Sequence, residues 1–176
     1  VLMAEDWDAL ERHEACLTTY ALERLQSLPG ITIYGASDGR CADRVGVIPF
    51  NLGDRPHALV AAILGYEGGI GVRSGCFCAQ PYVAHLLGRT ESARGRWLSA
   101  QPADETLPRP GMVRISLGAY NTSEEVDVLV EMLERIMRND YRGQYYCVPE
   151  GSDYRPVGYQ DLVHRLAVRQ PAEAIA

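Results

Sequence analysis

The sequence predicts an α+β domain, with a short antiparallel or mixed sheet and helices packed mainly on one of its faces. Two observations carry this. Amphipathic stretches at helical spacing stand at residues 6–28 and 122–137, near the two ends of the main body. Between them lie short apolar or β-branched runs, at 31–34, 44–52, 70–72 and 112–117, separated by Gly and Pro breaks. Elements of that order bury one apolar layer against another. The 176 residues suit one domain of about 1–139 followed by a tail of 140–176, and a hydrophobic content of 47% is enough for a packed core.

The first helix is predicted from Asp6 to Leu28. Trp7, Leu10, Leu17, Ala21, Leu25 and Leu28 fall on one face, and Pro29-Gly30 ends it. His13 and Cys16 flank that stripe and read as structural. Ile31–Tyr34 is a strand, and residues 35–41 are a polar turn. Arg44–Leu52 is apolar nearly throughout and reads as a central strand or one covered on both faces. Pro56 suits a first helical position. Leu59, Val60, Ile63 and Leu64 then give a buried face up to about Tyr66, where Gly68-Gly69 breaks the helix. His57, at the start of that helix, reads as structural.

Ile70–Val72 reads as a strand leading into a turn, and Gln80–Leu87 as a short helix leaving it. Residues 88–110 hold glycine, serine, charge and three prolines, which predicts a mobile loop. Met112–Leu117 is a strand. Thr122 and Glu125 have capping-box spacing, and Val126, Leu129, Val130, Leu133, Ile136 and Met137 form an apolar stripe behind them. In the tail, Tyr141, Tyr145, Tyr146, Tyr154 and Tyr159 suggest docking against a surface. Residues 159–168 are compatible with a last helix.

Composition removes several function classes. Net charge is −6 with no basic cluster, which gives nucleic-acid binding no support. No apolar run approaches the roughly 18 residues of a membrane span. No basic region precedes a hydrophobic stretch at the start, so a cytoplasmic setting is expected. Five cysteines, an odd number in a long chain, point to reduced thiols rather than a disulfide framework. All 17 basic residues are arginine, so no lysine amine is available for a covalent link to a carbonyl cofactor.

The stretch that concentrates chemistry is Arg73-Ser74-Gly75-Cys76-Phe77-Cys78-Ala79-Gln80-Pro81. A thiol on a tight turn near a fixed positive charge is favoured as thiolate, the nucleophilic form. The alternative stands beside it: most cysteines are small core hydrophobes. Zinc is disfavoured, because the pair is spaced C-x-C and Cys16, Cys41 and Cys147 show no matching pair. No G-x-S-x-G elbow or P-loop is present. Arg114 lies inside the apolar run 112–117, where a charge needs a partner.

The cysteine segment resembles the R-S/T-G-x-x-C-A-x-P segment of cysteine desulfurases in the class V aminotransferase superfamily. Val113-Arg114-Ile115-Ser116-Leu117-Gly118-Ala119-Tyr120-Asn121-Thr122 is similar to that family's V-R-x-S-x-x-x-Y-N-T segment. Pro49-Phe50-Asn51-Leu52 with Pro56-His57 resembles its small-domain strand and following helix. Together these cover roughly Glu14 to Met137, in order. The resemblance implies the C-terminal small domain of a fold-type I pyridoxal-phosphate enzyme. The large domain that holds most of the cofactor site has no counterpart in these residues.

The resemblance further implies an enzyme, homodimeric when whole, that takes sulfur from L-cysteine and leaves it as a persulfide on Cys78. A sulfur acceptor protein would follow. Arg114 would hold the substrate carboxylate, with Arg73 beside it. Cys76 departs from the desulfurase pattern, and the C-x-C pair is similar to the loop of molybdenum cofactor sulfurases. Cys76 is either a relay or resolving thiol, or a spectator. Two other readings stay open. One is an aminotransferase, lyase or epimerase of the same superfamily with a structural Cys78; the other is a non-catalytic module that accepts persulfide or binds a partner. Without its large domain, the chain is expected to be inactive.

Overall fold

The structure, a computed structural model, describes residues 6–35, 44–88, 110–148 and 153–159. The expected turn at 35–41, the loop at 88–110 and the last helix at 159–168 fall almost wholly outside these residues. Helix α1 (Trp7–Gln26) starts at Asp6, whose side chain accepts the Ala9 N–H at 3.0 Å. Leu17, Ala21, Leu22 and Leu25 are buried, but Trp7 is 61% exposed. The first turn of the apolar stripe therefore runs past the core rather than into it.

Strands β1 (Ile31–Ile33) and β2 (Val47–Leu52) pair antiparallel, with Ile31 opposite Leu52. Helix α2 (His57–Gly68) ends in a left-handed Gly69, φ 65°, whose N–H returns to the Leu64 carbonyl. Pro56 is its cap rather than its first residue, because its ψ of 126° is extended. Strand β3 (Arg73–Gly75), helix α3 (Gln80–Leu86) and strand β4 (Met112–Ser116) follow. Helix α4 (Ser123–Met137) begins with the full capping box: Glu125 N–H donates to Thr122 Oγ1, and Thr122 N–H donates to the Glu125 carboxylate.

The main sheet has the order β1-β2-β4-β3, antiparallel throughout. One correction concerns β3. The paired residues are Arg73–Gly75, not the apolar Ile70–Val72 before them. Ile70 and Val72 pack against the core as lead-in, so their hydrophobicity reports packing and not pairing. Strand β2 is central, as one of the two expected alternatives had it, and buried on one face only: Ile48, Phe50 and Leu52 are buried, while Val47, Pro49 and Asn51 are half-buried.

Helices α1, α2 and α4 share one core with the inward residues of β2 and β4, among them Phe50, Ile48, Val113 and Ile115. The register sets Pro49, Arg114 and Arg73 side by side on the other face. A one-residue slip would bury the arginine and expose Val113 and Ile115, so the apolar alternation itself fixes the register. No described helix is long and apolar enough to cross a membrane.

Strands β5 (Tyr145–Val148) and β6 (Asp153–Pro156) form a separate two-stranded sheet that lies against α2. Tyr66 of α2 meets Tyr159 edge-on at 5.2 Å between ring centroids and Tyr145 at 6.5 Å. Glu67 accepts the N–H groups of Arg142 and Gly143, at 2.9 and 2.8 Å, and the Tyr145 hydroxyl at 3.1 Å. Partial burial alone would raise the Glu67 carboxyl, but these donors outweigh it and hold it below its ordinary value of 4.5.

A carboxyl with a lowered value contributes stability above its ordinary value and loses it as pH falls through the lowered one. Docking of the hairpin should therefore be intact near neutrality and weaken progressively below about pH 4.5. Hydrogen exchange at the Arg142 and Gly143 amides measures this. In Glu67→Gln that acid dependence should disappear.

Candidate functional site

The site is built on the β3–β4 edge. After β3 the chain makes a four-residue turn, Cys76–Ala79, closed by Ala79 N–H donating to the Cys76 carbonyl at 2.8 Å. Both central residues are left-handed, Phe77 at φ 54° and Cys78 at φ 60°, the signs of a type I′ turn. Neither is glycine, and such backbone costs about 1–3 kcal/mol per residue, held only where the surroundings over-determine it. Pro81 in the first turn of α3 fixes the exit. The turn thus raises Cys78 into solvent and leaves Cys76 half-buried, with neither in a disulfide.

Glycine is required at the base of this turn. Gly75 has φ 106°. Across the ladder, a Cβ on Gly111 would lie 2.6 Å from His57 Nε2 and 2.7 Å from Gly75 Cα. The two backbones approach so closely that no side chain fits at 111. Asn51 of β2 ties the same point down, its Nδ2 donating to the Gly111 carbonyl at 3.1 Å.

Arg73 and Arg114 stand directly opposite each other on β3 and β4. Like charges in that position repel. Among the described residues neither arginine makes an ion pair, and Arg114 Nε is buried without a hydrogen-bond partner. The Arg114 guanidinium instead lies under the Phe77 ring, 4.9 Å from its centroid. Two arginines opposite each other in the ladder, one with a buried Nε lacking a hydrogen-bond partner, have the chemistry to hold a small anion, and the fork of Arg114 matches a carboxylate. Among the described residues, no group of three or more His, Cys, Asp or Glu side chains could hold a metal.

The family model described as Aminotransferase class-V matches residues 1–129. The chain belongs to this family. A cysteine desulfurase of Salmonella agona is 40% identical over 131 residues, which is 74% of this chain and 26% of that protein. One from Salmonella typhimurium gives the same figures. Among solved structures, the cysteine desulfurase CsdA of Escherichia coli, determined as its S-sulfonic acid form, aligns with a TM-score of 0.57 and 25% identity, over 78% of this chain and 28% of that one. The apo cysteine desulfurase of Thermococcus onnurineus aligns at 0.51 and 30%, over 73% and 26%. The chain thus spans about a quarter of the length of the relatives it matches, and its fold is that of part of a fold-type I enzyme.

Enzymes of the class V family depend on pyridoxal phosphate. The residues here fit that cofactor's amino-acid partner rather than the cofactor itself. Arg114 and Arg73 suit a carboxylate, while these 176 residues contain no lysine for a covalent link to the cofactor.

The fold brings Arg73, Cys76, Cys78 and Arg114 to one edge of the sheet. Asn121 and Thr122 are occupied otherwise. Asn121 Oδ1 accepts the Gly118 N–H at 2.7 Å, and both residues bind Glu125 in the start of α4. His57 is buried in the packing against Gly111. Sequence reasoning passed over Phe77, the residue that links the thiol turn to Arg114. An aromatic between two cysteines gives no periodic signal, although its place in a four-residue turn is a cue.

Gly111→Ala should push β3 away from β4 and cost roughly 1–3 kcal/mol, the range for overpacking a close contact. Urea denaturation gives the stability. Faster alkylation of half-buried Cys76, with exposed Cys78 little changed, would locate the opening at the base of the turn.

Proposed function

We propose that this chain is the C-terminal small-domain part of a pyridoxal-phosphate-dependent cysteine desulfurase, supplying Cys78 as the sulfur nucleophile and Arg114 as the carboxylate clamp. The observation that carries this is the pairing of Arg114, with its buried unspent Nε, against Arg73 at the foot of an exposed-thiol turn. A buried guanidinium N–H without a hydrogen-bond partner is costly, and a substrate carboxylate would satisfy it. A large domain from the same enzyme would hold the cofactor, and the whole would work as a homodimer.

Pyridoxal phosphate, when bound, supplies the electron sink that labilises bonds around the substrate's α-carbon. This chain's residues do the rest. Arg114, with Arg73 beside it, grips the carboxylate of L-cysteine and fixes its thiol end toward the turn. The Cys78 sulfur attacks the substrate sulfur. An S–S bond forms, the substrate's Cβ–S bond breaks, and protons are conserved between the two thiols and the products: alanine and a persulfide on Cys78. An acceptor thiol or protein then takes the outer sulfur. An aminotransferase, lyase or epimerase with a structural Cys78 fits less well, because Cys78 is exposed and strained rather than packed.

In the holoenzyme, Cys78→Ala should reduce sulfide release from L-cysteine to background; undiminished release would sink the desulfurase reading. Arg114→Lys keeps the charge and loses the fork, so kcat/KM for cysteine should fall roughly tenfold to a hundredfold, mostly through KM. The isolated chain should form no dialysis-stable absorbance band with pyridoxal phosphate once its N-terminal amine is blocked. A stoichiometric band under those conditions would contradict the assignment of the anchor to another domain.

A further inference from the structure

Resting on the reading of Cys78 as the persulfide-bearing thiol, we propose that Cys76 is its resolving partner. The two form a redox dithiol that discharges the outer sulfur as sulfide. The backbone between them carries the inference. An extended residue at 77 would hold the flanking Cα atoms about 6.6 Å apart, near the outer limit for a disulfide. Phe77 is instead left-handed, φ 54°. Helical backbone of either hand spaces residues i and i+2 about 5.5 Å apart, well inside the range of roughly 4.4–6.8 Å that disulfides bridge. The strained backbone of the turn thus shortens the one distance that matters for a bond between its thiols.

Three further facts fit a transient bond. Both thiols are free, Cys78 exposed and Cys76 half-buried at the first position of the turn. The turn is held by Gly75 pairing with Met112 at its start and closed by the Ala79 to Cys76 hydrogen bond, which keeps the Cα atoms of Cys76 and Cys78 close. A ring closed over three residues is strained, and strained disulfides are the easily reduced ones. The other described cysteines, Cys16 and Cys147, lie on α1 and β5, outside the turn.

The step balances. The Cys76 thiolate attacks the inner sulfur of the Cys78 persulfide. The bond between Cys76 and Cys78 forms, the bond to the outer sulfur breaks, and that sulfur leaves as hydrosulfide. Cys76 is oxidised, and the outer sulfur is reduced. A small dithiol reductant then returns both cysteines to thiols. The pair makes Cys78 self-discharging when no acceptor is docked, and Cys76 competes with an acceptor for the persulfide.

The test uses the full chain with Cys16, Cys41 and Cys147 changed to serine, treated with glutathione persulfide labelled in its outer sulfur, then alkylated and weighed intact. The expected product is a chain lighter by two hydrogens, unalkylated at Cys76 and Cys78, with labelled sulfide released in equal amount. In Cys76→Ser the labelled sulfur should stay on Cys78 as an alkylatable persulfide. A persulfide that survives on Cys78 equally long with and without Cys76 overturns the resolving role and leaves the nucleophile assignment standing. A Cys76→Ser chain that gains no labelled sulfur on Cys78 overturns both. Far-ultraviolet circular dichroism of the Cys76→Ser chain separates that outcome from misfolding, and the survival of persulfide in the unsubstituted turn decides the proposal without any variant at Cys76.

Discussion

The three-residue ladder between β3 and β4 is the constraint on which the site depends. It sets Arg73 opposite Arg114, Ser74 opposite Val113 and Gly75 opposite Met112. Residues far apart in the chain are joined there at an edge, where few hydrogen bonds hold them. The close approach of Gly75 and Gly111 makes that short ladder specific: a Cβ at 111 would strike the Gly75 backbone, and the φ of 106° at Gly75 favours glycine there. Shortness has a second effect. An edge strand of three residues with a charged side chain offers little template for pairing with another chain.

Strain in the turn and the unspent arginine belong to one arrangement. Two consecutive left-handed residues other than glycine would relax in an isolated peptide. Here the ladder on one side and α3 on the other leave the turn no room to do so. The Phe77 ring, set by that same backbone, lies on the Arg114 guanidinium. A movement of the thiol turn therefore moves the aromatic cover of the arginine. In the proposed reading, substrate binding at Arg114 and nucleophile position at Cys78 are linked through this one side chain instead of through the whole sheet.

Much of the fold was legible because helices announce themselves by period and by caps. The Thr122–Glu125 box and the stripe behind it gave α4 nearly to the residue. Arg114 was legible as an anomaly, a charge inside an apolar strand. What was hidden had physical reasons. The span of β3 is set by hydrogen bonding to β4, which leaves no mark on residue type, whereas the apolar Ile70 and Val72 left a mark that belongs to packing. The β5–β6 hairpin escaped because its tyrosines read as contact residues. They are strand residues as well, aromatic side chains being at home on a pleated surface.

The hairpin lies beyond the residues that the family model matches, yet its anchor lies within them. Glu67 and Tyr66, at the end of α2, supply the carboxylate and the ring on which it rests. Helix α2 also contacts β3, the strand that enters the thiol turn. One helix therefore carries the hairpin at its C-terminal end and supports the site strand along its length, while its buried face, Val60, Ile63 and Leu64, belongs to the common core. The sheet divides its labour in the same way. The face toward the helices holds the domain together, and the other face is free to hold two arginines that contribute nothing to that core. The charged pair is kept in strict register by an apolar alternation that the fold needs, so the core places the two arginines without including them.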